Sequence, residues 1–319
     1  MKFLFFVYLS FFGYTTAITA QETLPIFSDY LSDNIFLIHP AAAGVGTCGK
    51  LRLTAGRYWK DNELQTLSFH SSLGNESKAA AGLIVFNDKN GYHAQKGFQG
   101  TFAYHLDFYN GNKFNQLSFG LSLAAVQNEV DQRTFAGDPT VRQIIESNFY
   151  YNADVGVAYH YGGLSSYFTV KNVLLSIKDG LNNDLEYLNV RNFVLHLSYF
   201  FGDEEKIQYE PSLMLQYRDA TSEMYADINF KAYKKFEKAQ LWFALSYRTN
   251  LEQNNIQNLQ QFTPIIGANM GRWMASYTYA KQTGSVVYSN SAFHQITLGV
   301  NLFCKRPRAT ACPNINGSF

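Results

Sequence analysis

The sequence predicts an all-β chain, a transmembrane antiparallel β-barrel of about fourteen strands in an outer membrane. Three observations lead there. A short apolar leader opens the chain. Behind it, segments of alternating apolar and polar residues follow one another to the C-terminus. The connections between them swap between short and long, as tight periplasmic turns alternate with larger extracellular loops.

Residues 1–20 form the leader. Lys2 supplies a positive start and Phe3 to Tyr14 an apolar stretch, and small or polar residues from Thr15 to Ala20 follow. The expectation is a signal peptide cleaved near Ala20–Gln21. The apolar stretch is short for a spanning helix. No cysteine lies near the cut, which argues against a lipid anchor. Residues 21–47 do not alternate. Pro25, Pro40 and the run of small residues around Ala41 argue against a long regular element, and leave either a periplasmic lead-in or a plug folded into the lumen. Residues 48–304 are expected to form the barrel. Residues 305–319 read as a basic, then polar, periplasmic tail, either frayed or in contact with a periplasmic partner.

The wall is expected as strands at about 48–58, 63–73, 79–87, 95–109, 114–127, 149–160, 164–172, 189–201, 207–219, 222–234, 238–250, 261–269, 271–281 and 291–303. In the fourth, Phe98, Phe102, Tyr104, Leu106 and Phe108 oppose Gln99, Thr101, His105 and Asp107. In the fifth, Leu117, Phe119, Leu121 and Leu123 oppose Ser118, Gly120 and Ser122. Tyr151, Val155, Val157 and Tyr159 oppose Asn152, Asp154 and His160 in the sixth. The tenth, eleventh and last repeat the pattern, with Asp227, Arg248 and Thr297 on their polar faces. A β-sandwich would also alternate. Several segments exceed the usual strand of five or six residues and match a tilted membrane crossing, which favours the barrel. Tight turns are expected at Gly74-Asn75-Glu76, 110–113, Gly162-Gly163, 202–205, 234–237 and Met270-Gly271. Long loops are expected at 88–94, 128–148, 173–188, 251–260 and 282–290, with two short exceptions near Asp61-Asn62 and Asp219-Ala220.

No backbone donor can stay unpaired in lipid, so the sheet must have no edge and its first and last strands must pair. That places Cys48 and Cys304 at the same periplasmic rim. An exported chain can form disulfides, and the expectation is one bridge among three cysteines: Cys48 to Cys304 or Cys312, or Cys304 to Cys312.

With 26 basic and 25 acidic side chains, the charge gives no case for binding nucleic acid. The 27 Phe and 22 Tyr suit the aromatic girdles of a barrel in lipid. No Gly-x-Ser-x-Gly elbow, phosphate-binding glycine loop or His-Glu-x-x-His helix is present. Ser68, His70 and Ser72 alternate on one strand, but Leu67, Phe69 and Leu73 take its lipid face, so the trio points inward and is not read as catalytic. No catalytic residue, cofactor or metal site is expected; the cysteines lack the clustered pairs of a zinc site. The inward polar set includes Arg52, His105, Asp107, Asp154, Arg218, Asp227, Arg248 and Arg272, with Gln99 and Lys231. Buried charges of both signs pair. Such a network either fills and closes the lumen or lines a channel.

The residues resemble a family. Pro25-x-Phe27-Ser28-x-Tyr30, Asn34 and Pro40-Ala41-x-Ala43-Gly44 are similar to the start of PorP/SprF-type membrane proteins of the Bacteroidetes type IX secretion and gliding apparatus. The likeness continues in Arg57-x-Trp59, Thr66-x-Ser68, the segment Leu241 to Arg248 and Ser291-x-x-His294-Gln295-Ile296-x-Leu298. His294-Gln295 stands where the family commonly has His-Glu, and the Arg57–Trp59 spacing is contracted. The resemblance implies a non-enzymatic outer-membrane barrel that binds, helps export or anchors a large secreted adhesin through the adhesin's C-terminal domain. Periplasmic ring or motor components are further implied partners. Loops 251–260 and 282–290, or the lumen, are the candidate contacts. The alternative is a fatty-acid-channel-like transporter of hydrophobic solutes, which a plug and a lateral gap in the wall would support.

Overall fold

The computed structural model describes residues 30–57, 62–74, 77–90, 93–108, 113–131, 145–174, 191–219, 221–251, 259–284, 292–305 and 312–316. They form a closed antiparallel barrel of 14 strands. The strands are β1 (Gly49–Arg57), β2 (Asn62–Ser72), β3 (Ala79–Asn90), β4 (His93–Asp107), β5 (Asn115–Asp131), β6 (Ile145–Tyr161) and β7 (Leu164–Lys171). There follow β8 (Asn192–Tyr199, continued past Phe200 by Phe201–Gly202), β9 (Ile207–Arg218), β10 (Met224–Lys235), β11 (Gln240–Asn250), β12 (Leu259–Met270), β13 (Trp273–Gly284) and β14 (Phe293–Leu302). Each strand pairs with its sequence neighbours. The ring closes where β1 meets β14, in register from Gly49 opposite Leu302 to Arg57 opposite His294. This closure satisfies the backbone in lipid.

Alternation follows from that solvent. Phe98, Phe102, Tyr104, Leu121, Leu123, Tyr151, Ile228, Phe243 and Leu298 are exposed on the outer wall, while Gln99, Thr101, Ser118, Asp154, Asp227, Arg248 and Thr297 are buried inside. The short connections lie at one end, among them Gly162–Gly163 and Gly271–Arg272, where Gly162 and Gly271 hold left-handed φ values of 56° and 57°. By the turn rule this is the periplasmic end. Two expected long loops are shorter than expected. β3 runs to Asn90 and β4 starts at His93, and β5 and β6 extend to Asp131 and from Ile145. Polar residues above the lipid keep pairing through their backbones, so the loss of an apolar outer face did not end these strands. The expected contact segments 251–260 and 282–290 lie mostly outside the described residues, as do the leader, Pro25, Phe27, Ser28 and Trp59.

Residues 30–47 lie inside the lumen and carry two single 3-10 turns, η1 (Ile35–Leu37) and η2 (Pro40–Ala42). Of the two alternatives left open by the sequence, the described part of this segment is placed as a plug. Cys48 follows it at the periplasmic rim and is joined to Cys304 by a disulfide across the seam. The tail is not wholly a loose extension. Pro313–Asn316 forms one helical turn, and Cys312 and Ile315 are buried against Val45 and Phe114. Thr47 N–H donates to Ile315 O at 3.1 Å, and Lys305 N–H donates to Thr47 O at 2.7 Å. The residues just before β1 and residues 312–316 therefore meet at the periplasmic mouth.

Peptide mapping without reductant is expected to return Cys48 and Cys304 as one linked pair, with the buried Cys312 alkylated only after denaturation. Recovery of all three as alkylated cysteines without reductant would remove the staple.

Candidate functional site in the plugged lumen

The plug is packed against the wall, ion-paired to β1 and hydrogen-bonded to the far side. Its packing is apolar. Phe36, Leu37 and Ala41 to Ala43 meet Ala80, Ile84, Phe86, Ala103, Val126 and Ala158 of β3 to β6. Tyr30, Leu31 and Ile38 meet Val194, Met214, Trp242, Ala244 and Ile265 of β8 to β12. The lumen thus holds a hydrophobic core of its own. Close approach requires glycine. A Cβ on Gly120 would stand 2.3 Å from Ala41 N and Pro40 C, and one on Gly82 would stand 2.4 Å from the Phe36 ring. These wall positions are sockets for the plug.

Its charges are paired. Asp33 accepts from Lys50 Nζ at 3.1 Å and from Arg52 Nη2 at 2.7 Å, both on β1. Arg52, 1% exposed, also donates to Asn301 Oδ1 on β14 at 2.8 Å, so the cluster spans the seam. Burial pushes the Asp33 carboxyl up, but Lys50, Arg52 and Lys231 outweigh it and hold it below the usual carboxylate range. On the far wall, Arg248 grips Asp227 through two bonds of 2.6 and 2.7 Å. The Tyr30 hydroxyl donates to Asp227 Oδ2 at 3.1 Å and accepts from Asn229 Nδ2 at 2.9 Å. The third cluster joins Lys171 to Asp154 at 3.6 Å, with Gln99 Nε2 and Asn172 N–H also donating to Asp154. Lys171 Nζ reaches Leu37 O of the plug at 3.5 Å, and Lys231 Nζ donates to Leu31 O at 3.1 Å.

Histidines and short polar side chains complete the contacts. Gly44 N–H donates to His70 Nδ1 at 2.9 Å, and Asn34 Nδ2 donates to Ser68 Oγ at 2.9 Å. His105 stands 2.9 Å from Ala43 O and 2.8 Å from Ser118 Oγ. A carbonyl only accepts, so Nε2 donates to Ala43 O. His39 Nδ1 lies 2.8 Å from Thr169 Oγ1 on β7. The inward placement of Ser68 and His70 matches the sequence reading, and both face the plug rather than a reacting group.

The structure gathers Arg52, His105, Asp154, Asp227 and Arg248 into the lumen with Tyr30, Asn34, Pro40 and Gly44 from the plug. Three expected members lie elsewhere. Asp107 is exposed at the periplasmic end of β4, where it accepts from Gln116 Nε2 at 2.7 Å. Arg272 is exposed in the β12–β13 turn. Arg218 ends β9 at the opposite rim and pairs with Glu223 at 2.9 Å. Period-two parity continues past the lumen to strand ends, where a charge meets water instead. Asp33, Lys50, Lys171 and His39 were missed. Lys50 and Lys171 share parity with Arg52 and Thr169, which could have found them. Asp33 and His39 lie in a segment without periodicity.

A family model for the type IX secretion system membrane protein PorP/SprF matches residues 19–300. The chain belongs to the PorP/SprF family. No curated protein matches it. Among solved structures, this PorP/SprF member is similar to a FadL homologue of Pseudomonas aeruginosa at 10% identity, over 85% of this chain and 94% of that chain, with TM-score 0.49. It is similar to the CymD monoaromatic hydrocarbon channel at 10% identity, over 83% and 91%, with TM-score 0.45. The translocator domain of autotransporter NalP from Neisseria meningitidis stands at 11% identity, over 82% and 88%, with TM-score 0.35. Likeness at this level carries no functional argument. The closed ladder and the family together place the chain as an outer-membrane barrel.

Asp33→Ala leaves Lys50 and Arg52 buried without their carboxylate, and is expected to cost about 3–5 kcal/mol of unfolding stability. In planar bilayers the wild type is expected to stay closed and this variant to conduct. Unchanged melting together with unchanged conductance would show that the pair does not hold the plug. Gly120→Val is expected to conduct as well, because its side chain needs the space of Pro40 and Ala41. A carboxyl lowered in the folded state contributes stability above its ordinary pKa and loses it as pH falls through the lowered value. Closure is therefore expected to persist through mild acid and to fail only below the usual carboxylate range.

Proposed function

We propose that this chain serves type IX secretion as a non-enzymatic, plugged outer-membrane barrel that holds or helps export a large cell-surface adhesin through the adhesin's C-terminal domain. The plug is the observation that carries the reading. A lumen filled by the chain's own residues 30–47, anchored on both walls, does not suit a conduit for cargo. Cargo contact then falls to the ends and loops of the barrel. The type IX secretion family supplies the context, and ring or motor components on the periplasmic side are the second class of partner proposed.

A solute transporter of the fatty-acid-channel type shares the plug. It also calls for an opening in the wall; the β1–β14 seam is paired along its length, while β6 pairs with β7 only from Val155 to Tyr161, and residues 175–190 lie outside the described residues. The two readings are separated by the test that follows.

Deleting the gene and profiling surface proteins is expected to remove one large adhesin while uptake of hydrophobic solutes continues. The converse, uptake lost with the adhesin retained, would overturn the proposal. Co-purification then tells whether the barrel keeps its cargo or only assists release.

A further inference from the structure

Backbone hydrogen bonds close the turns all around the periplasmic rim, and Lys305 adds a side-chain tie along one arc of it. Asn301 N–H donates to Arg272 O at 2.8 Å, Leu73 N–H donates to Ala79 O at 2.9 Å, and His105 N–H donates to Lys78 O at 2.7 Å. The Lys305 ammonium reaches from the foot of the seam to Ser72 Oγ at 3.2 Å and Gly74 O at 3.0 Å. The arc runs from the β12–β13 turn, past the end of β14, to the β2–β3 turn.

Large apolar side chains stand out along it. Phe303 is 76% exposed, Trp273 66% and Leu73 62%. Trp273 heads the outward column of β13 that continues with Ala275 and Tyr277, and Leu73 extends the outward column of Leu67 and Phe69, so both face lipid. Phe303 holds a left-handed φ of 52°, a region a bulky residue keeps only when its surroundings impose it. The disulfide at Cys304 and the Lys305–Thr47 bond follow at once in the chain.

The described residues of this arc include the cations Arg272, Lys305 and Lys78 and no carboxylate; Glu76 lies outside them. The rim between β8 and β11 differs. There Asp203, Glu204, Glu205 and Glu237 accompany Lys206, Lys234, Lys235 and Lys238, and Lys235 pairs with Glu204. The rim between β8 and β11 balances its own charge, whereas the turn sequences of the arc set Arg272, Lys305 and Lys78 against Glu76.

We infer that the arc of Trp273, Phe303, Leu73, Arg272, Lys305 and Lys78 binds the headgroups of anionic phospholipid in the inner leaflet. The inference rests on the outer-membrane location. Aromatic rings at the level of the headgroups anchor a wall to the interface, and cations beside them draw anionic lipid. Because Trp273 and Leu73 continue lipid-facing columns, lipid is the adjacent medium. The site also holds the seam, beside which the residues just before β1 and residues 312–316 meet, in a defined place at the interface.

The test uses the full chain in nanodiscs of phosphatidylethanolamine doped with phosphatidylglycerol, released into native mass spectrometry. Wild type is expected to retain phosphatidylglycerol above its bulk share. The triple variant R272Q/K305Q/K78Q should lower that retention by roughly fivefold or more, whereas K206Q/K238Q on the balanced side should leave it unchanged. W273A/F303A should weaken retention with every charge intact, and decides the matter if the triple variant does not fold. Retention at bulk share by wild type, or equal loss in both charge variants, overturns the inference. So does capture of an acidic periplasmic protein with phosphatidylglycerol at bulk share, which would make the arc a protein surface. A chain that stayed soluble without detergent would instead fail the membrane reading itself.

Discussion

Backbone hydrogen bonding in lipid is the constraint on which the rest of this molecule depends. With no water to satisfy a strand edge, the sheet closes on itself, and β1 must find β14. That pairing brings residues far apart in sequence to one rim, Cys48 and Cys304 among them. It also fixes where the plug begins. The residues just before β1 enter at the periplasmic mouth, beside the only space the closed wall leaves inside.

Each strand then serves two environments. Outward positions meet lipid and are Leu, Phe, Tyr and Ile; inward positions meet the plug and are mixed. The mixture has a reason. Apolar plug residues need apolar wall, so Ile84, Met214 and Trp242 face inward, where an aqueous channel would favour polar side chains. The charges that meet the plug have partners at hand. Asp33 sits between Lys50 and Arg52, and Asp227 lies between Arg248 and Tyr30. Removing one member exposes the desolvation cost of the others, which is larger than the net worth of the pair.

With residues 30–47 filling the lumen, the extracellular loops and the periplasmic rim are the surfaces left open. For a PorP/SprF member, the proposed function accordingly places recognition at those surfaces rather than in a pore. The tail adds to that view. Cys312 donates to Glu210 Oε2 at 3.2 Å and Ile315 packs against Val45, so residues 312–316 dock on the periplasmic side of the plug.

The sequence by itself determined the barrel, the strand count, the inward and outward faces and the meeting of Cys48 with Cys304 at one rim. Side-chain period two and backbone closure are local or topological rules, readable without coordinates. It also marked Arg52, His105, Asp154, Asp227 and Arg248 as lumen residues, since parity alone places them. Only the tertiary structure decided that residues 30–47 fill the lumen, that Asp33 and Tyr30 meet opposite walls, and that Asp107 and Arg272 lie outside it. An aperiodic segment carries no register, and parity gives a side chain's face but not its height along the strand. Which buried charge finds which partner therefore depends on contacts made across the barrel, between residues that the sequence sets as far apart as Tyr30 and Asp227.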